Sequence, residues 1–171
     1  VESVHIEATG QCQVDLLDPL HALNNGKVIY IAPRERIELE FEWKVAAGAN
    51  SGVKYMVPAA HADVAYGPEY QVLDDDRHAD AELASHRAAS LYDLAAQVGG
   101  TKRPVGEYNR GRIVVRDGWI EHWLNGRLIV LACVGSREWN QRIAASKFSD
   151  VEGFGRNRMG KIMLTDHNSD V

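Results

Sequence analysis

The chain predicts an all-β fold, an antiparallel two-sheet sandwich or barrel of many short strands. Three observations carry this expectation. Residues 37–45 (IELEFEWKV) alternate with period two, putting Leu39, Phe41 and Trp43 on one face and Glu38, Glu40, Glu42 and Lys44 on the other. Asp117-Gly118 and Asn125-Gly126 are pairs that tolerate positive φ, as two-residue turns between antiparallel strands require. The remaining turns are glycine-rich and join strand to strand, which argues against a parallel α/β sheet.

In chain order, residues 27–32 read as a short strand, followed by the alternating strand at 37–45. The turn signal Gly48-Ala49-Asn50-Ser51-Gly52 leads into a strand at Val53 to Val57, and Gly67-Pro68 opens another at Tyr70 to Leu73. Asp80 to Ser90 is the best helix candidate, with Asp93 to Gln97 as an extension or replacement. Trp139 to Ala145 is a second short helical piece. Between them lies a meander of strands at Glu107 to Arg116, Trp119 to Leu124 and Arg127 to Ala132. With no repeat, low-complexity tract or linker, residues 1–171 are expected to form one domain with insertions at 74–102 and 134–160.

A net charge of −5 argues against nucleic acid, since phosphate binding needs a basic face. No apolar run approaches the roughly 20 residues that a spanning helix needs. Cys12 and Cys133 fit no zinc or redox spacing; they read as one disulfide in an exported protein or as two buried thiols. The composition itself does not set the compartment.

A two-residue turn at 117–118 places Arg116 opposite Trp119, Val115 opposite Ile120 and Ile113 opposite His122. Alternation then groups Glu107, Asn109, Ile113, Val115, Ile120, His122 and Leu124 on one face. The other face holds Tyr108, Arg110, Arg112, Val114, Trp119, Glu121 and Trp123. Two candidate sites follow: Glu107, Asn109 and His122, or Arg110, Arg112 and Glu121 with Trp123 as an aromatic platform for a sugar ring. The bland alternatives are a hydrogen-bonded core histidine and a cross-strand ion pair.

Residues 66–75 (YGPEYQVLDD) resemble the signature of the 3-keto-disaccharide hydrolase domain family. Collinear blocks extend the likeness: residues 48–53 (GANSGV), Leu91-Tyr92-Asp93, 104–109 (PVGEYN), 120–126 (IEHWLNG), Ser146-Lys147-Phe148 and 161–167 (KIMLTDH). The resemblance covers about residues 37–171 and implies a concanavalin A-like jelly roll. Tyr108 stands where the family has Trp, and Thr165 where it has Gln. Residues 1–25 match poorly. The chain ends where the family continues into a closing strand, so either the sequence is trimmed there or that strand is expected from elsewhere, the N-terminal segment being one source.

The resemblance implies action on a small carbohydrate, a glycoside already oxidised at C3, and an exported setting, periplasmic or secreted. A base removes the acidified C2 proton, the glycosidic oxygen leaves C1 by β-elimination, and water adds back. His122 is the first candidate for proton transfer, because imidazole titrates near neutrality. Glu69, sharing a strand face with Gln71, is the second, and Glu107 lies beside His122. The enolate oxygen would be held by Lys54, Lys147, Arg112 or a divalent metal. Asn109, Trp123, Asp166 and His167 are further candidates for binding sugar hydroxyls. A metal could also lie among His61, His78 and His86 with Asp63, Asp74, Asp75, Asp76 and Asp80, a density that equally suits a solvated acidic loop. The alternative to an enzyme is a non-catalytic, lectin-like sugar-binding module. A two-carboxylate glycosidase has no evident pair of acids here. Self-association is left open.

Overall fold

The structure, a computed structural model, describes residues 6–7, 22–23, 26–29, 36–58 and 66–167. Among the described residues, ten strands form two antiparallel five-stranded sheets. The first sheet is ordered β1 (Ile6–Glu7), β4 (Ile37–Trp43), β7 (Asn109–Arg116), β8 (Trp119–Leu124) and β9 (Arg127–Cys133). The second is ordered β2 (Ala22–Leu23), β3 (Gly26–Ile29), β10 (Lys161–Asp166), β5 (Asn50–Val57) and β6 (Glu69–Leu73). Residues of the opening segment thus pair at an edge of each sheet, β1 on β4 and the β2–β3 hairpin on β10. The fold is the expected sandwich.

The core fills the space between the sheets, as period-two alternation requires. Leu39, Phe41 and Trp43 from β4 meet Ile113, Val115, Ile120 and Leu124 from the meander. These close on Val53, Tyr55, Tyr70 and Val72 of the second sheet. The meander follows the predicted register, with Arg116 opposite Trp119, Val115 opposite Ile120 and Ile113 opposite His122. Both of its turns hold two residues at positive φ: 52° and 82° at Asp117-Gly118, 49° and 84° at Asn125-Gly126. Inside β7, Gly111 has Phe41 packed on it, and that ring meets Tyr70 edge-on at 5.1 Å.

The helix expected at 80–90 does not form. Two 3₁₀ turns, Ala79–Glu82 and Ala84–His86, are broken by an extended Leu83 at φ −87°, ψ 126°. The physical reason is side-chain competition. The His78 ring accepts from the Asp80 amide, Asp80 bonds His86 and Tyr92, and the Ser90 hydroxyl donates to the Ala84 carbonyl. By contrast, α1 (Arg137–Ala144) forms close to its expected place. Ser136 caps it by accepting from the Trp139 amide at 3.0 Å, and Trp139 is buried against the core.

A Cβ at residue 111 would sit 2.6 Å from the Phe41 ring. Gly111→Ala is therefore expected to lower stability by about 1–3 kcal/mol by displacing that ring, despite the gain in strand propensity. Urea unfolding followed by tryptophan fluorescence reads this directly; an unchanged midpoint would show that Phe41 repacks freely.

Candidate active site

The outer face of the second sheet gathers the matched charged residues around Glu69. On β6, Tyr70 and Val72 point into the core, so Glu69 and Gln71 point away from it. Register brings Lys54 opposite Glu69, Gly52 opposite Gln71, and Thr165 of β10 opposite Gly52. Gly52 leaves the floor open for the acid: a Cβ there would lie 2.0 Å from Glu69 Oε1. Thr165 Oγ1 donates to Glu69 Oε1 at 3.3 Å, and Lys54 Nζ lies 3.9 Å from Oε2. Gln71 donates to Asn50 Oδ1 at 3.2 Å.

The insertion after β6 builds a wall beside this floor and leaves Glu69 only 7 % exposed. The Tyr92 amide donates to the Glu69 carbonyl at 3.0 Å, and Lys147 Nζ lies 4.1 Å from the Tyr92 ring centroid. Burial pushes the Glu69 carboxyl above the usual carboxylate range. Lys54, the Thr165 bond and Lys147 oppose that rise, and Asp80 adds to it. The result is a desolvated acid paired with Lys54, under the longer-range field of Lys147 and bonded to one hydroxyl.

His122 lies elsewhere. It is fully buried between the sheets, with Nδ1 3.1 Å from the Ala89 carbonyl and Nε2 2.8 Å from the Tyr55 hydroxyl. A carbonyl only accepts, so Nδ1 carries the proton and Nε2 accepts from Tyr55. Burial drops the imidazole to about 4, outweighing the bonds from the Ala89 and Ser90 backbone that favour the charged form. A neutral, sealed ring cannot meet a sugar, so we reassign His122 from proton transfer to core hydrogen bonding. Its expected companions are likewise not gathered with it. Asn109 is buried and latches two loops, accepting from the Arg103 amide at 2.8 Å and from Asn125 Nδ2 at 3.0 Å. Glu107 is exposed on the turn before β7. The alternation was read correctly; this face is the core.

The opposite outer face holds the second expected set. Arg112 pairs with Glu38 and Glu40 and lies 5.3 Å from the Trp123 ring, while the Trp123 indole donates to Glu121 at 2.8 Å. The sandwich separates Arg112 and Trp123 from Glu69. Asp166 ends β10 opposite Ser51, with its side chain outside the described set, and His167 is exposed just beyond.

Among the described residues no three of His, Cys, Asp and Glu gather to hold a metal ion. His61 and Asp63 lie outside them. The acids of the insertion are engaged instead: Asp74 accepts from the Gly48 and Asp76 amides and Arg77, and Asp75 accepts from the Ala88 amide. Cys12 also lies outside the described residues, and Cys133 is a partly exposed thiol at the end of β9. No helix of the described residues is long and apolar enough to cross a membrane.

A family pattern described as the 3-keto-alpha-glucoside-1,2-lyase-like domain matches residues 17–171. The chain belongs to this family. It is 33 % identical over 172 residues to a 3-keto-disaccharide hydrolase of Bacteroides thetaiotaomicron, covering 86 % of this chain and 59 % of that protein. Thus it spans less than two thirds of that relative. A crystal structure of a candidate glycosyl hydrolase from Parabacteroides distasonis superposes with a TM-score of 0.76 at 27 % identity, covering 84 % of this chain and 70 % of that one. A second from the same organism gives 0.62 at 21 % identity over 82 % and 74 %, a likeness of fold alone.

Within the family domain, the sequence reading missed Gly52, Tyr92, Asp80, His86 and Asp93 as neighbours of the site. Tyr92 and Asp93 lie in a matched block, which is the one signal for them; Asp80 and His86 stand out in the sequence as possible metal ligands, with nothing to tie them to Glu69.

The His122 assignment carries a pH signature. Its folded pKa of about 4 lies below the ordinary 6.5, so the unfolded chain takes up a proton first. Stability is then fully present above about 6.5 and falls by up to ~3 kcal/mol as pH drops to about 4. His122→Gln, which keeps a donor and an acceptor but does not titrate, is expected to flatten that slope. Denaturant midpoints measured across the window test it, and an equally steep dependence in the variant would refute the assignment.

Proposed function

We propose that this domain cleaves 3-keto-glycosides, with Glu69 as the base. The observation that supports the reading best is the buried Glu69 carboxylate beside Lys54 on the outer sheet face, in a chain of this family. Desolvation strengthens a carboxylate as a base and brings its pKa toward working pH. A ketone at C3 makes the C2 hydrogen acidic. Glu69 takes that proton, and the C2–H electron pair becomes the enolate of C2, C3 and the C3 oxygen. Lys54 and Lys147 are the cations available to stabilise the oxygen. Re-forming the C3 carbonyl expels the C1 oxygen, which takes the proton from Glu69 and leaves as an alcohol, restoring the carboxylate and leaving a C1–C2 double bond conjugated to the ketone. Water then adds its hydroxyl to C1 and a proton to C2, and the net change is hydrolysis. A sugar-binding module without catalysis would gain nothing from an acid held out of water beside ammonium groups.

Incubation with 3-keto-trehalose or a 3-keto-glucoside, and with the unoxidised sugar, is expected to give product from the oxidised substrate alone, by mass spectrometry. Sugar binding without turnover of either would sink the enzyme reading. Glu69→Gln should lower kcat by about 10²–10⁴-fold with the fold intact, as expected for loss of a general base. Wild-type activity in that variant would remove Glu69 from the mechanism.

Gly52→Ala should mimic this loss in part, because the new methyl group must move the carboxylate. The check is kcat with unchanged circular dichroism. Since the base works deprotonated, kcat/KM should fall with decreasing pH through a pKa above the usual carboxylate range. A limb at the ordinary Glu value would contradict the assignment.

A further inference from the structure

The wall beside Glu69 contains a chain of charged groups that the reaction above leaves without a role. Asp80 Oδ1 lies 2.7 Å from His86 Nδ1, and Asp93 Oδ1 lies 2.8 Å from His86 Nε2. The His86 ring thus bridges the two carboxyl groups through both of its nitrogens. Each acid then uses its second oxygen on a residue of the wall. The Tyr92 hydroxyl donates to Asp80 Oδ2 at 3.0 Å, and the Lys147 amide donates to Asp93 Oδ2 at 2.8 Å.

Three of these residues, His86, Tyr92 and Lys147, meet again through side-chain contacts. His86 packs on Tyr92 with centroids 4.3 Å apart, and Lys147 Nζ sits 4.1 Å from the Tyr92 centroid. Such a cation–π contact fixes an otherwise mobile ammonium group. The backbone here is strained: Ala89 and Asp93 hold φ of 65° and 58°. Strain of this kind persists only where surrounding contacts over-determine the conformation. At Asp93 those contacts are the His86 ring and the Lys147 amide.

Lys54 and Lys147 differ in their situation. Lys54 is an ion-pair partner of Glu69 itself. Lys147 has its amide tied to Asp93 and its ammonium parked on Tyr92, within electrostatic reach of Glu69. We propose that His86, clamped between Asp80 and Asp93, is a positioning residue that holds Tyr92 and Lys147 so that Lys147 meets the charge developing on the C3 oxygen. The catalytic part of this assignment rests on the reading of Glu69 as the base; the positioning part does not.

The test separates the two. Groups facing Glu69 are Lys54 from β5, Thr165 from β10, Tyr55 from the core side, and Tyr92, Lys147 and Asp80 from the wall. Lys147 favours the ionised form of Glu69, so displacing it must raise the Glu69 titration midpoint. That midpoint is read by carbon-13 NMR of the carboxyl group, with no turnover needed. His86→Gln is expected to raise it in the same direction as Lys147→Met, and to lower kcat on the 3-keto-glucoside about tenfold or more with little change in KM, the effect of a misplaced catalytic group. Asp93→Asn keeps the volume and reports the same change should His86→Gln fail to fold. A wild-type midpoint and kcat in the folded clamp variants, alongside a shifted Lys147→Met, would overturn the proposal. If the wild-type protein turns over no 3-keto sugar, the functional reading fails while the NMR titration still decides the clamp.

Discussion

A hydrogen-bonded path through the core, from the Ala89 carbonyl through His122 to the Tyr55 hydroxyl, governs where the functional groups stand. Tyr55 sits where β5 changes register against β10, between the pairs Met163–Lys54 and Lys161–Val57. The extra residue is a bulge: Tyr55 and Met56 both enter the core, and Met56 is held at φ 53°. Lys54 is the last residue before that irregularity, so its placement opposite Glu69 depends on the anchor behind it. The other end of the path fixes Ala89, whose amide donates to the Gln71 carbonyl at 2.7 Å and seats the insertion on β6. One neutral imidazole thereby joins β5, β8 and the wall of the site.

The two outer faces show how much surroundings change the meaning of an ion pair. On the first sheet, Arg112 bonds Glu38, and Glu38 is 40 % exposed; such surface pairs contribute about 0–1 kcal/mol. On the second sheet, Glu69 is covered by the insertion, and its charge has lost most of its water. Burying it would be costly without compensation from Lys54, Lys147 and Thr165. The same residue types make a solvated ladder in one place and a perturbed acid in the other. Coverage by residues 74–102 is what separates them.

The meander was legible because its information is local. Asp-Gly and Asn-Gly fix the turns, the turns fix the register, and alternation then sorts each side chain to a face. The strands β4, β5 and β6 were readable for the same reason, within a few residues at their ends. The segment at 80–90 was misread because helix propensity is a weak preference, here outweighed by side-chain bonds from Asp80, His78 and Ser90. Arg112 and Trp123 were grouped with Lys54 and Lys147 by chemistry alone, since spacing along the chain does not say which sheet will cover which.

By itself, then, the sequence determined the sandwich, its hairpin registers, the two faces of β7 and β8, and the kinship of the blocks around Glu69. These rest on turn chemistry, period-two alternation and local motif. Only the tertiary structure decided that the His122 face is the interior and that Glu69 is the desolvated acid. It also joined Asp80, His86 and Asp93 around the Tyr92–Lys147 wall. The physical reason is that charge, protonation and access are set by what lies across space, and packing of the insertion on β6 supplies those neighbours from distant parts of the chain.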